Sequence, residues 1–174
     1  MRRKSKFVVT WLCAAVLTAC SQPPAPPQQV KAPPPPARDL VAEVRAAAAD
    51  AGDVIDIQPL RDGTIEDLLH TAQRAEAAQD WRAAARALQQ ALELNPNDPE
   101  VLQRHAEARL ALREVDDAEM LAARSYEIGP KLGALCRRNW TLLRIAREER
   151  GDAEGAAAAA EQLSRCVVEP PVRM

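Results

Sequence analysis

The sequence predicts an all-α fold, a short stack of three helical hairpins that follows a proline-rich segment. Small and large apolar residues recur with a period of about 34 residues from Thr64 onward, which is typical of helical repeat proteins. Aromatic residues make up only 3% of the 174 residues, whereas strands usually draw on aromatic and β-branched side chains. Ala and Leu dominate the apolar content, and this composition favours close packing of helix on helix.

Residues 1–19 are predicted to be a lipoprotein signal peptide. A basic start precedes an apolar run over residues 7–17, which is shorter than the roughly 20 residues that a membrane-spanning helix needs. Residues 17–20 then read Leu-Thr-Ala-Cys, which resembles the lipobox of bacterial lipoproteins. The resemblance implies acylation of Cys20 and, because Ser21 and not Asp follows, delivery to the outer membrane, facing the periplasm. The alternative is an ordinary signal peptide with a chance cysteine.

The charge of the mature chain argues against nucleic acid as a partner. The signal peptide contains Arg2, Arg3, Lys4 and Lys6, so its removal leaves 19 of the 23 basic residues against 25 acidic ones. An acidic chain without a basic stripe has no surface that would neutralise phosphates.

Residues 20–38 are predicted to hold the lipidated cysteine and a proline-rich spacer. Eight prolines lie within residues 23–36, and they exclude both helix and sheet. The remaining preference is polyproline II, in which residues 21–38 would reach roughly 55 Å at about 3.1 Å per residue. The spacer is therefore expected to hold the folded part away from the membrane.

Residues 39–63 are predicted to form a short helix and an extended connector. Asp39 is a suitable N-cap and Gly52 a suitable end for the helix. The pattern leaves open whether this segment docks on the domain that follows.

Residues 64–168 are predicted to form the repeat domain, followed by a tail over residues 169–174. When residues 65–98 are laid above 99–132, the aligned pairs are Leu68 with Leu102, Ala72 with Ala106, Ala84 with Ala118, Ala91 with Ser125, and Pro96 with Pro130. These positions resemble the conserved pattern of tetratricopeptide repeats (TPRs), and a third, irregular unit follows in residues 137–166. The resemblance implies helices near 65–78, 81–94, 99–112, 115–128, 134–149 and 153–166.

Capping residues support the helix limits. Thr64 with Asp67 resembles a capping box, and Asp98 before Pro99 suits an N-cap followed by an N1 proline. Gly151 is typical of a helix end.

The cysteines divide between the two parts of the chain. Cys13 lies in the signal peptide and Cys20 is the lipid anchor, which leaves Cys136 and Cys166 in a compartment that permits disulfides. In the TPR model they lie at adjacent ends of the third hairpin, so a disulfide is predicted. The alternative is two free, buried thiols.

The sequence shows no catalytic constellation. His70 and His105 are the only histidines, and both lie within predicted helices. No nucleophile elbow, zinc-ligand spacing or phosphate-binding loop occurs, so we expect neither an enzyme nor a cofactor or metal.

Function is therefore expected to reside in a surface. TPR stacks bind partners along the concave face, which the first helix of each repeat lines. The resemblance places eleven residues there: Glu66, Leu69, Gln73, Glu76, Glu100, Gln103, Glu107, Leu110, Arg138, Thr141 and Ile145. The alternative is that the acidic side chains only keep a helix surface soluble.

The layout of anchor, spacer and small helical domain resembles the pseudomonad LpoP-type outer-membrane lipoproteins, which activate class A penicillin-binding proteins. The resemblance implies a monomeric, membrane-anchored adaptor whose protein partner is a bifunctional peptidoglycan synthase. Two alternatives stay open: a pilotin or assembly lipoprotein for a type IV pilus or secretion system, and an accessory of a peptidoglycan-lytic enzyme.

Overall fold

A computed structural model describes residues 38–51 and 60–167 of the chain. The predictions for the signal peptide (1–19), for Cys20, for the spacer up to residue 37, for connector residues 52–59 and for the tail (169–174) lie outside these ranges.

The described residues form helices and the turns between them. The helices are α1 (Leu40–Ala46), a following 3-10 helix (Ala47–Ala51), α2 (Gly63–Ala77), α3 (Trp81–Leu94), α4 (Pro99–Ala111), α5 (Val115–Ile128), α6 (Gly133–Glu149) and α7 (Ala153–Ser164). Helices α2 and α3, α4 and α5, and α6 and α7 pair as hairpins, and neighbouring hairpins pack on one another. This confirms the all-α prediction of three stacked TPR-like hairpins, and the helix limits agree to within about two residues.

Small residues recur where helices of the stack approach most closely. Ala72, Ala84, Ala106 and Ala118 are all fully buried, at the positions that the repeat pattern aligned. Leu88 is likewise fully buried in the cluster formed by α2, α3 and α4. Such alternation of small and large side chains lets ridges of one helix fill grooves of the next, which explains the periodic sequence.

Aspartate side chains cap most of the helices of the stack. Asp98 accepts hydrogen bonds from the backbone N–H groups of Glu100 and Val101, both at 3.1 Å, and Pro99 follows it as predicted. The predicted capping box at Thr64 is wrong: α2 begins at Gly63, and its N-cap is Asp62, which accepts from the N–H of Thr64 at 2.8 Å. Asp62 satisfies that N–H from one residue before the helix, so the helix begins earlier than the box implied.

The turn inside each hairpin contains one residue in the left-handed region. These residues are Gln79 (φ 57°), Arg113 (φ 64°) and Gly151 (φ 76°), which occupy the same place in successive hairpins. Only glycine adopts this conformation without a steric cost from its side chain.

The variant Gln79→Gly is therefore expected to increase the free energy of unfolding. The expected gain is about 1 kcal/mol, because the left-handed conformation costs an L side chain about 1–2 kcal/mol and glycine loses part of that in added unfolded-state freedom. Urea denaturation measures it, and Gly151→Ala in the same turn position should shift the midpoint in the opposite direction. A Gln79→Gly variant no more stable than the parent would contradict this reading of the turns.

A disulfide joins Cys136 to Cys166, with a Cα–Cα distance of 5.6 Å. Cys136 lies in the first turn of α6 and Cys166 just after α7, so the bridge closes the open end of the third hairpin. Both cysteines are buried, and the backbone N–H of Gly133 donates to the carbonyl of Cys166 at 2.8 Å. The covalent bond thus fixes the last hairpin of the stack among the described residues.

Helix α1 packs across α4 and α6, and the 3-10 helix continues along α6. This answers the question that the sequence left open for residues 40–51. Asp39 caps α1 by accepting from the N–H of Ala42 at 2.9 Å, as predicted.

Candidate partner-binding groove

The first helices of the three hairpins, α2, α4 and α6, supply the residues predicted for the concave face. Six of those eleven side chains are buried: Leu69, Gln103, Glu107, Leu110, Thr141 and Ile145. Four are partly exposed and Gln73 is exposed, so the face is only partly open to solvent. The prediction that these residues bind a partner stays a prediction.

Helix α1 contributes to the burial of Leu110 and Ile145, because its apolar side packs on α4 and α6; Leu69 is buried instead in the cluster of α2, α3 and α4. Leu40 and Val44 join a buried cluster with Leu110 of α4 and Ile145 of α6. Val44 has no exposed surface, whereas Ala42 and Ala46 on the same helix face solvent. α1 therefore covers two of the predicted groove residues directly with its own apolar face.

An ionic cluster holds the C-terminal end of α1. Arg45 donates from Nε to Glu107 at 2.7 Å and from Nη2 to Glu76 at 2.8 Å. Arg138 also bonds Glu107, at 2.6 Å, and Arg104 bonds Glu76 at 3.0 Å. We call these five side chains the arginine–glutamate cluster; it brings together three predicted groove residues, Glu76, Glu107 and Arg138.

The charges of the arginine–glutamate cluster are stable in the buried groove because each carboxylate pairs with guanidinium groups. The side chain of Glu107 is fully buried, and an unpaired carboxylate in such a place would carry a large desolvation cost. Although partial burial opposes the charge of Arg45, Glu107 and Glu76 raise the pKa of its guanidinium. Glu76 and Glu107 thus accept hydrogen bonds from Arg104 and Arg138 of the groove, and Arg45 adds a further guanidinium from α1.

A second set of ion pairs holds the N-terminal end of α1. Arg38 bonds Glu43 of α1 at 2.7 Å and Glu148 of α6 at 3.0 Å, and Arg144 of α6 also pairs with both acids. The hydrogen bond from Arg38 lowers the pKa of Glu43 against a modest opposing effect of burial. These side chains are partly exposed, so each pair contributes little and is screened by salt.

Two buried polar side chains of α4 and α6 have unused hydrogen-bonding capacity. Gln103, beside Glu107 of the arginine–glutamate cluster, is fully buried, and its amide nitrogen reaches Glu107 only at 3.4 Å while its Oε1 has no partner. The Oγ1 of buried Thr141 also lacks a partner. Buried polar atoms are normally paired, so both side chains depart from the usual pattern.

Part of the groove beside α1 remains open. This shallow depression is lined by Arg45, Ala48, Gln73, Glu76, Glu100, Arg104 and Arg138. Four of these residues belong to the predicted concave face. Sequence reasoning missed Arg45, which lies outside the repeats, and Arg104, which is not among the groove positions that the TPR resemblance carries over.

Among the described residues, no group of three or more His, Cys, Asp or Glu side chains is placed to hold a metal ion. Within the same ranges, no helix combines the length and the apolar composition that crossing a membrane requires.

The two histidines lie in different surroundings. His70 is exposed on α2, while His105 of α4 is 2% exposed and accepts a hydrogen bond at Nε2 from Arg109 Nε at 3.1 Å. Burial, with a smaller effect from Arg109, lowers the pKa of His105 to about 4. His105 is thus a neutral packed side chain in the folded protein.

Folding stability is therefore expected to fall as the pH falls from about 6.5 to about 4. Over that range the unfolded chain binds a proton at this histidine while the folded chain does not, so stability that is full above pH 6.5 is lost. The loss attributable to His105 should approach about 3 kcal/mol at pH 4. Chemical denaturation at several pH values measures it, with His105→Gln expected to flatten the profile. His70→Gln is the matched control because it removes an exposed imidazole; equal profiles for His105→Gln and the parent would contradict the assignment.

Comparisons with known proteins show a likeness among solved structures. No protein-family model matches the chain. No curated protein matches it. Among solved structures, the globular C-terminal domain of P. aeruginosa LpoP matches with a TM-score of 0.55 and 36% sequence identity. The match covers 60% of this chain and 99% of that domain. At this identity and coverage, the chain belongs to the family of LpoP.

Proposed function

We propose that this protein is an outer-membrane lipoprotein, acylated at Cys20, that binds and activates a class A penicillin-binding protein across the periplasm. The observation that carries the proposal is the 36% identity to the LpoP domain over 99% of that domain. The order of features supports it, since a lipobox-like sequence and a proline-rich spacer precede the domain. The absence of a recognisable catalytic constellation in the sequence fits an adaptor.

The concave face is the proposed contact surface for the synthase. Its accessible part is the open depression, where Gln73, Glu100 and Arg138 lie at the side of α1. A TPR stack offers such a face as a continuous surface built from successive helices. Its mixed charge suits a protein segment that carries both polar and basic groups.

The direct test measures glycan-chain polymerisation by a purified class A synthase from the same bacterium. The mature chain with Cys20→Ser, which lacks the lipid, is added at increasing concentration. The proposal predicts a saturable increase in rate and a complex that can be captured from solution. An unchanged rate with no complex would overturn it.

A variant pair locates the contact. Gln73→Trp should fill the open depression and weaken binding by about tenfold, or about 1.4 kcal/mol. Gln90→Trp places the same side chain at an exposed position of α3, in the second helix of its hairpin, and should bind as the parent does. Equal loss in both variants, or in neither, would contradict a concave contact.

The spacer is proposed to provide reach. Deleting residues 23–36 should leave binding in solution intact and abolish function in cells, because the domain would no longer meet a partner on the opposite membrane. Growth of a strain that depends on this activator measures the effect. A deletion strain that grows normally would contradict the role of the spacer.

A further inference from the structure

We infer that the groove covered by α1 binds a short amphipathic helix of the protein partner. In the free protein α1 occupies this groove and competes with the partner's helix for it. The inference deepens the proposed function, since it names the kind of segment that the concave face recognises. The recognised pattern is that of α1: two adjacent apolar residues, a third apolar residue one turn later and an arginine directly after it. In this chain these are Leu40, Val41, Val44 and Arg45.

The groove is complementary to α1 in both apolar surface and charge. The groove offers apolar side chains, Leu110 and Ile145, at the place where Val44 inserts. It offers two carboxylates, Glu76 and Glu107, at the place where Arg45 ends. An apolar pocket with adjacent acids is a recognisable receptor for an amphipathic helix with one basic residue.

The groove contains buried polar side chains, which are more typical of a binding surface than of a permanent apolar core. Glu107, which Arg45 of α1 bonds, and the neighbouring Gln103 are buried polar residues of α4. Oε1 of Gln103 has no partner, so a different occupant with a suitable donor would gain a hydrogen bond that α1 does not make. A polar floor also tolerates water when the groove is empty, which an apolar floor does not.

Few buried apolar side chains hold α1 in the groove. It contributes three of them, and its other contacts are ion pairs and the position of Arg45 over the ring of Trp81, 5.9 Å from the ring centroid. The side chains of Arg38 and Arg45 are 44% and 40% exposed, so water and salt reach them. Competition by a tethered segment lowers the affinity for a partner in proportion to the fraction of molecules whose groove is free.

The test uses a fluorescent synthetic peptide with the sequence of residues 38–51 as the probe. It is titrated against the mature chain and against two variants that should release α1. Val44→Asp places a charge in the apolar part of the groove, and Arg45→Asp opposes Glu76 and Glu107 without entering the apolar cluster. Ala42→Asp, on the exposed side of the same helix, is the matched control.

The peptide is expected to bind both release variants at least tenfold more tightly than it binds the parent or Ala42→Asp. Circular dichroism verifies that each variant is folded, and Arg45→Asp remains informative if Val44→Asp does not fold. A peptide in which Arg45 is replaced by alanine should bind the release variants more weakly. Equal affinity for all four proteins, or no binding to folded release variants, would overturn the inference.

The synthase assay separates this inference from the proposed function. If the parent stimulates the synthase and the release variants act at lower concentrations, by tenfold or more, both stand. If the parent stimulates and the release variants require equal or higher concentrations, competition by α1 is refuted while the activator role survives. If the parent never stimulates, the activator role falls, and the peptide titration still decides whether the groove takes a helix.

Discussion

Leu88→Ala will lower the free energy of unfolding by about 2–5 kcal/mol. Leu88 is fully buried in α3, in the cluster that joins the first hairpin to α4. The same cluster contains large side chains such as Leu69, Leu92 and Leu102, and the extent to which they relax into the cavity sets the cost within this range. Urea denaturation followed by circular dichroism measures it.

Leu94→Ala is the matched control for this prediction. Leu94 ends the same helix but is 56% exposed, so its truncation should change the free energy of unfolding by no more than about 0.5 kcal/mol. A similar cost at both positions would show that α3 does not pack through the face that the repeat pattern assigns to it.

Loss of the disulfide is expected to cost about 3–4 kcal/mol. The bridge closes a loop with a sequence separation of 30 residues, and the chain-entropy model gives that amount for a loop of this size. The double variant Cys136→Ser/Cys166→Ser removes the bridge without leaving a single reactive thiol. Because no fourth hairpin covers α6 and α7 in the described residues, their amides should lose most protection from hydrogen exchange.

The reduced parent protein is a control for the two serine substitutions. Its free energy of unfolding should fall by nearly the same amount as in the double variant. Equal unfolding of the oxidised and reduced parent would contradict a stabilising role for the bridge.

The stack itself follows from local signals in the sequence. The repeat period locates the small buried residues, and the aspartate before Pro99 defines where α4 begins. The same logic placed Cys136 and Cys166 at neighbouring ends of one hairpin. These features are predictable because residues that contact each other within and between adjacent hairpins are close along the chain. Their contacts therefore appear as a periodic pattern in the sequence.

The covering of the groove follows from contacts that no local pattern records. Arg45 reaches Glu76 and Glu107 across 31 and 62 residues of sequence. Arg61 is 4% exposed and bonds Asp98 at 2.7 Å, yet it stands outside any repeat. Sequence reasoning treated the groove glutamates as solvated or partner-binding, because nothing local shows that arginines of the same chain already pair with them.

Because α1 covers part of the groove, a partner can bind the concave face in two ways. A partner must either dock beside α1 or take its place, and these two modes differ in what happens to α1. Docking alongside adds protection to α1, whereas replacement exposes its backbone. The unpaired Oε1 of Gln103, beside the Glu107 that Arg45 bonds, favours replacement, since a partner can satisfy it.

Hydrogen exchange of the mature chain with and without a bound class A synthase distinguishes replacement of α1 from docking beside it. If the partner replaces α1, amides of residues 40–46 exchange faster in the complex, while α4 and α6 are protected at least as well as before. Unchanged or increased protection of residues 40–46 in a complex of verified stoichiometry would contradict replacement.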